Sequence, residues 1–227
     1  MEIQIRCQPS YAAAFLILDH GETVLAERGA LVAMSAGVDA GASAGSGGIG
    51  RAAMRKAFGG ENFFMGRYTA TAHQAWVALA PGYPGDICAV DVHEGSDSLF
   101  VQQGSFLAGG PGVNVDVRYG GVKTVVMREG ITTLHVHGEG QALLSSYGGL
   151  LPFTLSDDEV MVVDTGHLVA WSAGTEMKLG LLGGAVASAA TGEGVVATMV
   201  GPGRVWIQTR SEGELSSWLF PNPSERR

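Results

Sequence analysis

The chain has 227 residues, of which 35 are glycine, 16% are charged and 46% are hydrophobic, with a formal net charge of −8. That much apolar material fills a core, which excludes a disordered chain, a coiled coil and a disulfide-rich miniprotein. The acidic balance, with 14 Lys and Arg spread along the chain, excludes a nucleic-acid partner, whose phosphates call for clustered basic residues.

The chain opens on MEIQIRCQPSY, which lacks the apolar run and cleavage site of a signal peptide. A cytoplasmic protein is expected, with Cys7 and Cys88 as free thiols. The segment ETVLAERGALVAM then reads as two short strands joined by a turn at Gly29. The same pattern returns as DSLFVQQGSFLAG around Gly104 and as DEVMVVDTGHLVAW around Gly166. Ala33, Ala108 and Ala170 each follow four residues after the glycine.

A second recurring piece follows each of these. HQAWVALAPG, GQALLSSYGG and GRVWIQTRSE align with Ala75, Ala142 and Val205 in corresponding places. Each is preceded by another apolar run: ENFFMGRYTAT, GITTLHVHGEG and GVVATMVGPG. The expected architecture is one all-β domain over 1–220 made of three units, about 11–80, 81–149 and 150–211, with pseudo-threefold symmetry and a tail at 221–227. Alternation supports strands: in DICAVDVHE, Ile87, Ala89 and Asp91 share one face and Cys88, Val90 and Val92 the other, and in RVWIQTR Val205, Ile207 and Thr209 share a face. The best helix signal is RAAMRKAF, Arg51 to Phe58, closed by Gly59 and Gly60.

GGENFF, HGEGQALLSSYGG and TGEGVVATMVGPGRVWIQTR resemble signature segments of the altered-inheritance-of-mitochondria protein 24 family, and the resemblance runs from about Ala13 to Arg210. It implies an all-β fold with an internal triplication, grouped with the tryptophan RNA-binding attenuator proteins in double-stranded β-helix topology. It does not imply RNA binding, because function lives in sites rather than folds. A fungal mitochondrial member is associated with inner-membrane organisation. The resemblance carries no catalytic residue over to this chain.

Three features carry candidate chemistry. His135 and His137 in HVHGE point to one face of a strand and could share a metal, as in a cupin-type enzyme, with Glu139 nearby and His93 or His167 as a third imidazole. The repeat alignment sets Tyr68 and Ala70, and Thr198 and Val200, in the places of the two histidines, so the scaffold does not demand histidine there; the expectation is no bound metal and no cofactor. Gly45-x-Gly47-x-x-Gly50 opens the helix-like segment, but the hairpin pattern contradicts a parallel βαβ unit, the only acid near the expected distance is Glu61, and the stretch reads as a flexible connection. Asp157, Asp158 and Glu159 read as a solvated turn.

The longest low-polarity stretch, Leu179 to Ala190, is too short to span a bilayer, which takes about 20 residues. It belongs to one of two similar low-charge connections, 41–50 with Ala44 and 180–192 with Ala187. These either cover the ends of the core or form a contact face for a protein partner, a membrane surface or another copy of the chain. The favoured function is a non-enzymatic binding or scaffold protein acting through surfaces of a rigid β-core; the alternative is a cupin-like metal-dependent enzyme using His135 and His137.

Overall fold

The computed structural model describes residues 1–43, 65–119, 132–182 and 194–220. These residues form nineteen strands: β1 (Glu2–Arg6), β2 (Ala13–Leu18), β3 (Thr23–Ala26), β4 (Leu31–Met34), β5 (Val38–Ser43), β6 (Met65–Ala70), β7 (Ala75–Leu79), β8 (Ile87–Val92), β9 (Leu99–Gln102), β10 (Phe106–Gly109), β11 (Val113–Tyr119), β12 (Thr132–Gly138), β13 (Gly140–Ser145), β14 (Leu150–Leu155), β15 (Val160–Asp164), β16 (Leu168–Ser172), β17 (Glu176–Leu181), β18 (Val195–Val200) and β19 (Gly203–Gln208). One helix, α1 (Glu212–Leu219), follows. The helix expected over 51–58, the glycines of the 45–50 motif, Glu61 and the tail at 221–227 lie outside the described residues.

The strands make four antiparallel sheets. In order of stacking they run β1-β2-β7-β4, then β5-β6-β3-β10-β13-β8, then β11-β12-β9-β16-β19-β14, then β15-β18-β17. Alternate residues of each inner sheet enter different cores, as a period of two requires. Val24, Ala26 and Leu143 of the second sheet pack with Leu16, Leu18, Val77 and Leu79 of the first. Leu25, Ala142 and Leu144 turn the other way, against Leu99, Val101, Leu134 and Val136 of the third. Phe100, Trp171 and Val205 on the far face of the third sheet meet Val163, Ala197 and Met199 of the fourth. A sheet covered on both faces needs apolar residues at consecutive positions, which is why LVAW and FLAG carry no polar alternation.

One pattern of pairing occurs three times. β7, β13 and β19 each sit between two strands: β2 and β4, β8 and β10, β14 and β16. In each group the ladder onto the last-named strand slips at one place, between Leu31 and Ala33, Phe106 and Ala108, and Leu168 and Ala170. That is a bulge one residue before the alanine in every case. The glycine turns before these strands are closed by the same hydrogen bond: Ala30 N–H to Glu27 O, Ser105 N–H to Gln102 O and His167 N–H to Asp164 O. Gly29 and Gly104 both take φ of 85°, a conformation that side-chain-bearing residues resist. Gly166 does not; its N–H donates to Asp164 Oδ1 at 2.7 Å instead.

The registers correct two sequence alignments. Met34 pairs Val77, Gly109 pairs Ala142 and Trp171 pairs Val205, so Val77 rather than Ala75 occupies the place of Ala142 and Val205. His135 lies opposite Phe100, while Arg67 lies opposite Leu25 and Thr198 opposite Val162. The residues in the places of His135 and His137 on β6 are therefore Arg67 and Thr69, not Tyr68 and Ala70; the one-residue slip matters because it exchanges faces. Thr198 and Val200 stand as aligned. An arrangement closed about a threefold axis would need three joints between such groups. Two exist among the described residues, β3 to β10 and β9 to β16; β4 and β15 each end a sheet instead.

The start of α1 has a signature in the sequence. Ser211 and Glu214 form the Ser-x-x-Glu spacing of a helix start, and the Ser211 hydroxyl accepts from Glu214 N–H at 3.2 Å. No helix among the described residues is long and apolar enough to cross a membrane. The two low-charge connections begin as strand, Gly41–Ser43 in β5 and Gly180–Leu181 in β17 with exposed Leu182 after it, and their remainders, 44–50 and 183–192, with Ala44 and Ala187, lie outside the described residues.

Candidate functional site

β12 places His135 and His137 on the face of the third sheet that looks toward the fourth, the face shared by Phe100 and Trp171. Their rings stack with centroids 4.9 Å apart and 18° between planes. The Phe100 ring lies 5.2 Å from that of His135 and 5.7 Å from that of Trp171. The third member of the cluster is Asp116, directly opposite His135 on β11. One ligand atom from each of Asp116, His135 and His137 lies within 4.8 Å of the others.

Hydrogen bonds fix the ring orientations. Ser98 Oγ donates to Gly95 O at 2.6 Å, so the 3.0 Å contact with His135 Nε2 requires the ring nitrogen to donate and puts the proton of a neutral ring there. His137 stands between two carboxylates, with Nε2 3.2 Å from Asp116 Oδ2 and Nδ1 3.3 Å from Glu94 Oε1. A neutral imidazole has one N–H and serves one of them at a time. Two imidazoles and one carboxylate form the donor set that borderline divalent metals take. Within the set, His137 and Asp116 bond each other directly, while His135 Nε2 bonds Ser98 Oγ.

The other sequence candidates are elsewhere. β12 ends at Gly138, φ 105°, and Glu139 falls between strands. Its carboxylate bonds His93 Nδ1 at 2.8 Å. That hydrogen bond raises the His93 pKa and lowers that of Glu139. His167 Nδ1 faces Gln208 O at 2.8 Å. Asp158, with φ of 61°, and Glu159, whose carboxylate accepts from Ser156 N–H at 2.8 Å, form a turn between β14 and β15. Cys7 is exposed; Cys88, on β8, is half-buried, and burial with Asp86 nearby pushes its thiol up to about 12.

A second feature escaped the sequence reading. A small cleft of about 200 Å³ opens beside the glycine turns, lined by Tyr83, Gln102, Ser146, Tyr147, Gln208 and Glu212 among others. Burial, helped by Glu212, raises the Glu27 carboxyl to about 7. Burial first, then Glu212, also raises the Tyr83 hydroxyl. No motif announces this cleft, because its walls come from five separate stretches of the chain and from α1.

The fold and most of the sequence have counterparts. A crystal structure of a protein from Streptococcus pyogenes superposes with a TM-score of 0.77 at 27% identity, covering 96% of this chain and 97% of that one. An uncharacterised protein from Streptococcus pyogenes serotype M6 is 30% identical over 199 residues, 85% of this chain and 79% of that protein. The match to the family described as Mitochondrial biogenesis AIM24 runs from residue 3 to residue 210, and the chain belongs to that family.

Proposed function

We infer that this protein is a non-enzymatic scaffold built from three copies of one six-strand unit, in the double-stranded β-helix manner of the attenuator-protein fold. It acts in the cytoplasm through surfaces of its rigid β-core, on a protein partner or a membrane surface. Support for the repeat comes from the thrice-used bulge and turn hydrogen bond. The observation that carries the scaffold reading is the pair of strand edges, β4 and β15, which end their sheets and present Val32 and Val160 at 63% and 59% exposure. Unpaired edges with apolar side chains bind other polypeptide. The test is cross-linking of untagged protein at native abundance, followed by identification of what it holds. Stoichiometric partners lost on Val32→Glu with Met34→Glu support the reading; an unchanged partner set contradicts it.

One observation favours a second reading, a cupin-like metal-dependent enzyme. Asp116 joins His135 and His137 in the place that the sequence offered to Glu139, His93 or His167. In that reading the two imidazoles and the carboxylate would hold a divalent ion acting as a Lewis acid. Metal analysis of untagged protein separates the two readings. Near-stoichiometric transition metal, lost in His135→Ala with His137→Ala, supports the enzyme; its absence from both proteins supports the scaffold.

A further inference from the structure

Among the described residues, the eight sheet edges are not alike. Six carry a device that discourages pairing: Glu2 and Arg6 on β1, Asp39 on β5, Asp91 on β8, Asp116 on β11, Pro152 on β14, and Glu176 with Lys178 on β17. Charges and proline are how proteins keep strand edges from joining strangers. β4 reads LVAM and has neither; β15 reads VMVVD, with a single charge at its end. Both expose large apolar side chains: Leu31, Val32 and Met34 on one, Val160 and Val162 on the other.

The two edges are also complementary. At one internal joint Ala108 pairs Ala26 and Gly109 pairs Leu25. At the other Ala170 pairs Val101 and Trp171 pairs Phe100. Counted from Gly29, Gly104 and Gly166, these are the same two ladder steps. The next application of the rule joins β4 to a β15, with Ala33 opposite Val163 and Met34 opposite Val162. Within one chain those strands belong to the first and last sheets, with the two six-stranded sheets between them.

We propose that β4 of one copy of this chain pairs antiparallel with β15 of a second copy, Ala33 opposite Val163 and Met34 opposite Val162, completing across the interface the sheet type that the chain forms twice internally. The proposal rests on the repeat reading above and names the scaffold's partner as the chain itself. The contact is heterologous, since each copy offers a different strand at each end. Its repetition closes a ring or continues as a filament, according to the turn per copy. The first and fourth sheets, of four and three strands, would then make one sheet at every junction.

The test uses two blocked chains. Val32→Glu with Met34→Glu disables β4, and Val160→Glu with Val162→Glu disables β15; all four positions are exposed, at 63%, 38%, 59% and 51%, so the monomer tolerates them. By light scattering after size exclusion, the wild type should run as a multiple of 23.5 kDa. Each blocked chain alone should run as a monomer. An equimolar mixture of the two should give a species of twice the chain mass and nothing larger, because one good β4 and one good β15 remain. Should either double variant misfold, Val32→Lys and Val160→Lys serve the same arms. Dimers of either blocked chain alone would overturn the proposal in favour of like-with-like pairing. A monomeric wild type would overturn it too, while leaving the scaffold reading to its own cross-linking result with other partners.

Discussion

β4, β10 and β16 come from the same place in the repeated pattern, and their surroundings differ. β10 and β16 are buried along their whole lengths between two neighbouring strands, while every residue of β4 is exposed. Val32, Leu107 and Val169 each stand at the bulge, at 63%, 0% and 0% exposure. Three apolar strands of nearly the same character thus differ in one respect, whether a strand from earlier in the chain pairs with their second edge: β3 does so for β10 and β9 for β16, and none among the described residues does so for β4. Under the proposal above, β4 is an interior strand whose neighbour is supplied by a second copy of the chain.

The largest effect expected from this comparison is on folding. Leu107→Asp or Val169→Asp buries a carboxylate without a partner and should cost about 4 kcal/mol or more, enough to unfold most of the population. Val32→Asp should cost about 0.5 kcal/mol or less in the separated chain. Urea denaturation of the three variants checks this. Similar losses at all three positions would mean that β4 is covered within its own chain.

A smaller effect concerns the turns that precede these strands, where Glu27, Gln102 and Asp164 occupy corresponding positions. Glu27 is pushed up, to about 7, by burial and by Glu212. An acid with a raised folded-state pKa binds more protons folded than unfolded. Its contribution is therefore present at about pH 4.5 and is lost as pH rises through 7. Glu27→Gln should remove that decline and raise stability at pH 8 by about 1 kcal/mol, after allowance for solvent screening. Thermal unfolding from pH 4 to 8 reads it; an unchanged slope contradicts it.

The smallest effect separates two thiols. Cys7 is exposed, and the Cys88 thiol is pushed up to about 12. Alkylation at pH 8 should modify Cys7 faster by about 100-fold or more, because the thiolate is the nucleophile. Equal rates in the native protein would show that β8 opens readily at its sheet edge.

Much of this was readable from residues alone. Gly29, Gly104 and Gly166 mark three turns before three bulged strands, because a tight turn needs a residue that bends cheaply. The alternation in DICAVDVHE gives the two faces of β8 as observed, with Ile87 in one core and Val90 and Val92 in the next. What failed was register. Arg67 rather than Tyr68 matches His135, since a slip of one residue preserves a hydrophobic pattern's look and reverses its faces. Asp116 was missed for the same reason: its place opposite His135 depends on how β11 pairs with β12, which no local spacing encodes. The openness of β4 is likewise a property of neighbours, invisible in LVAM itself.

The central claim is that the β4 and β15 edges continue an internal rule from one copy to the next. The direct measurement is a disulfide in the implied register, Met34→Cys with Val162→Cys in a chain carrying Cys7→Ser and Cys88→Ala. Mild oxidation followed by non-reducing electrophoresis should give a ladder of covalently joined chains. The off-register pair Met34→Cys with Val160→Cys should give little. A bond formed only within single chains, or no difference between the two registers, would contradict the account.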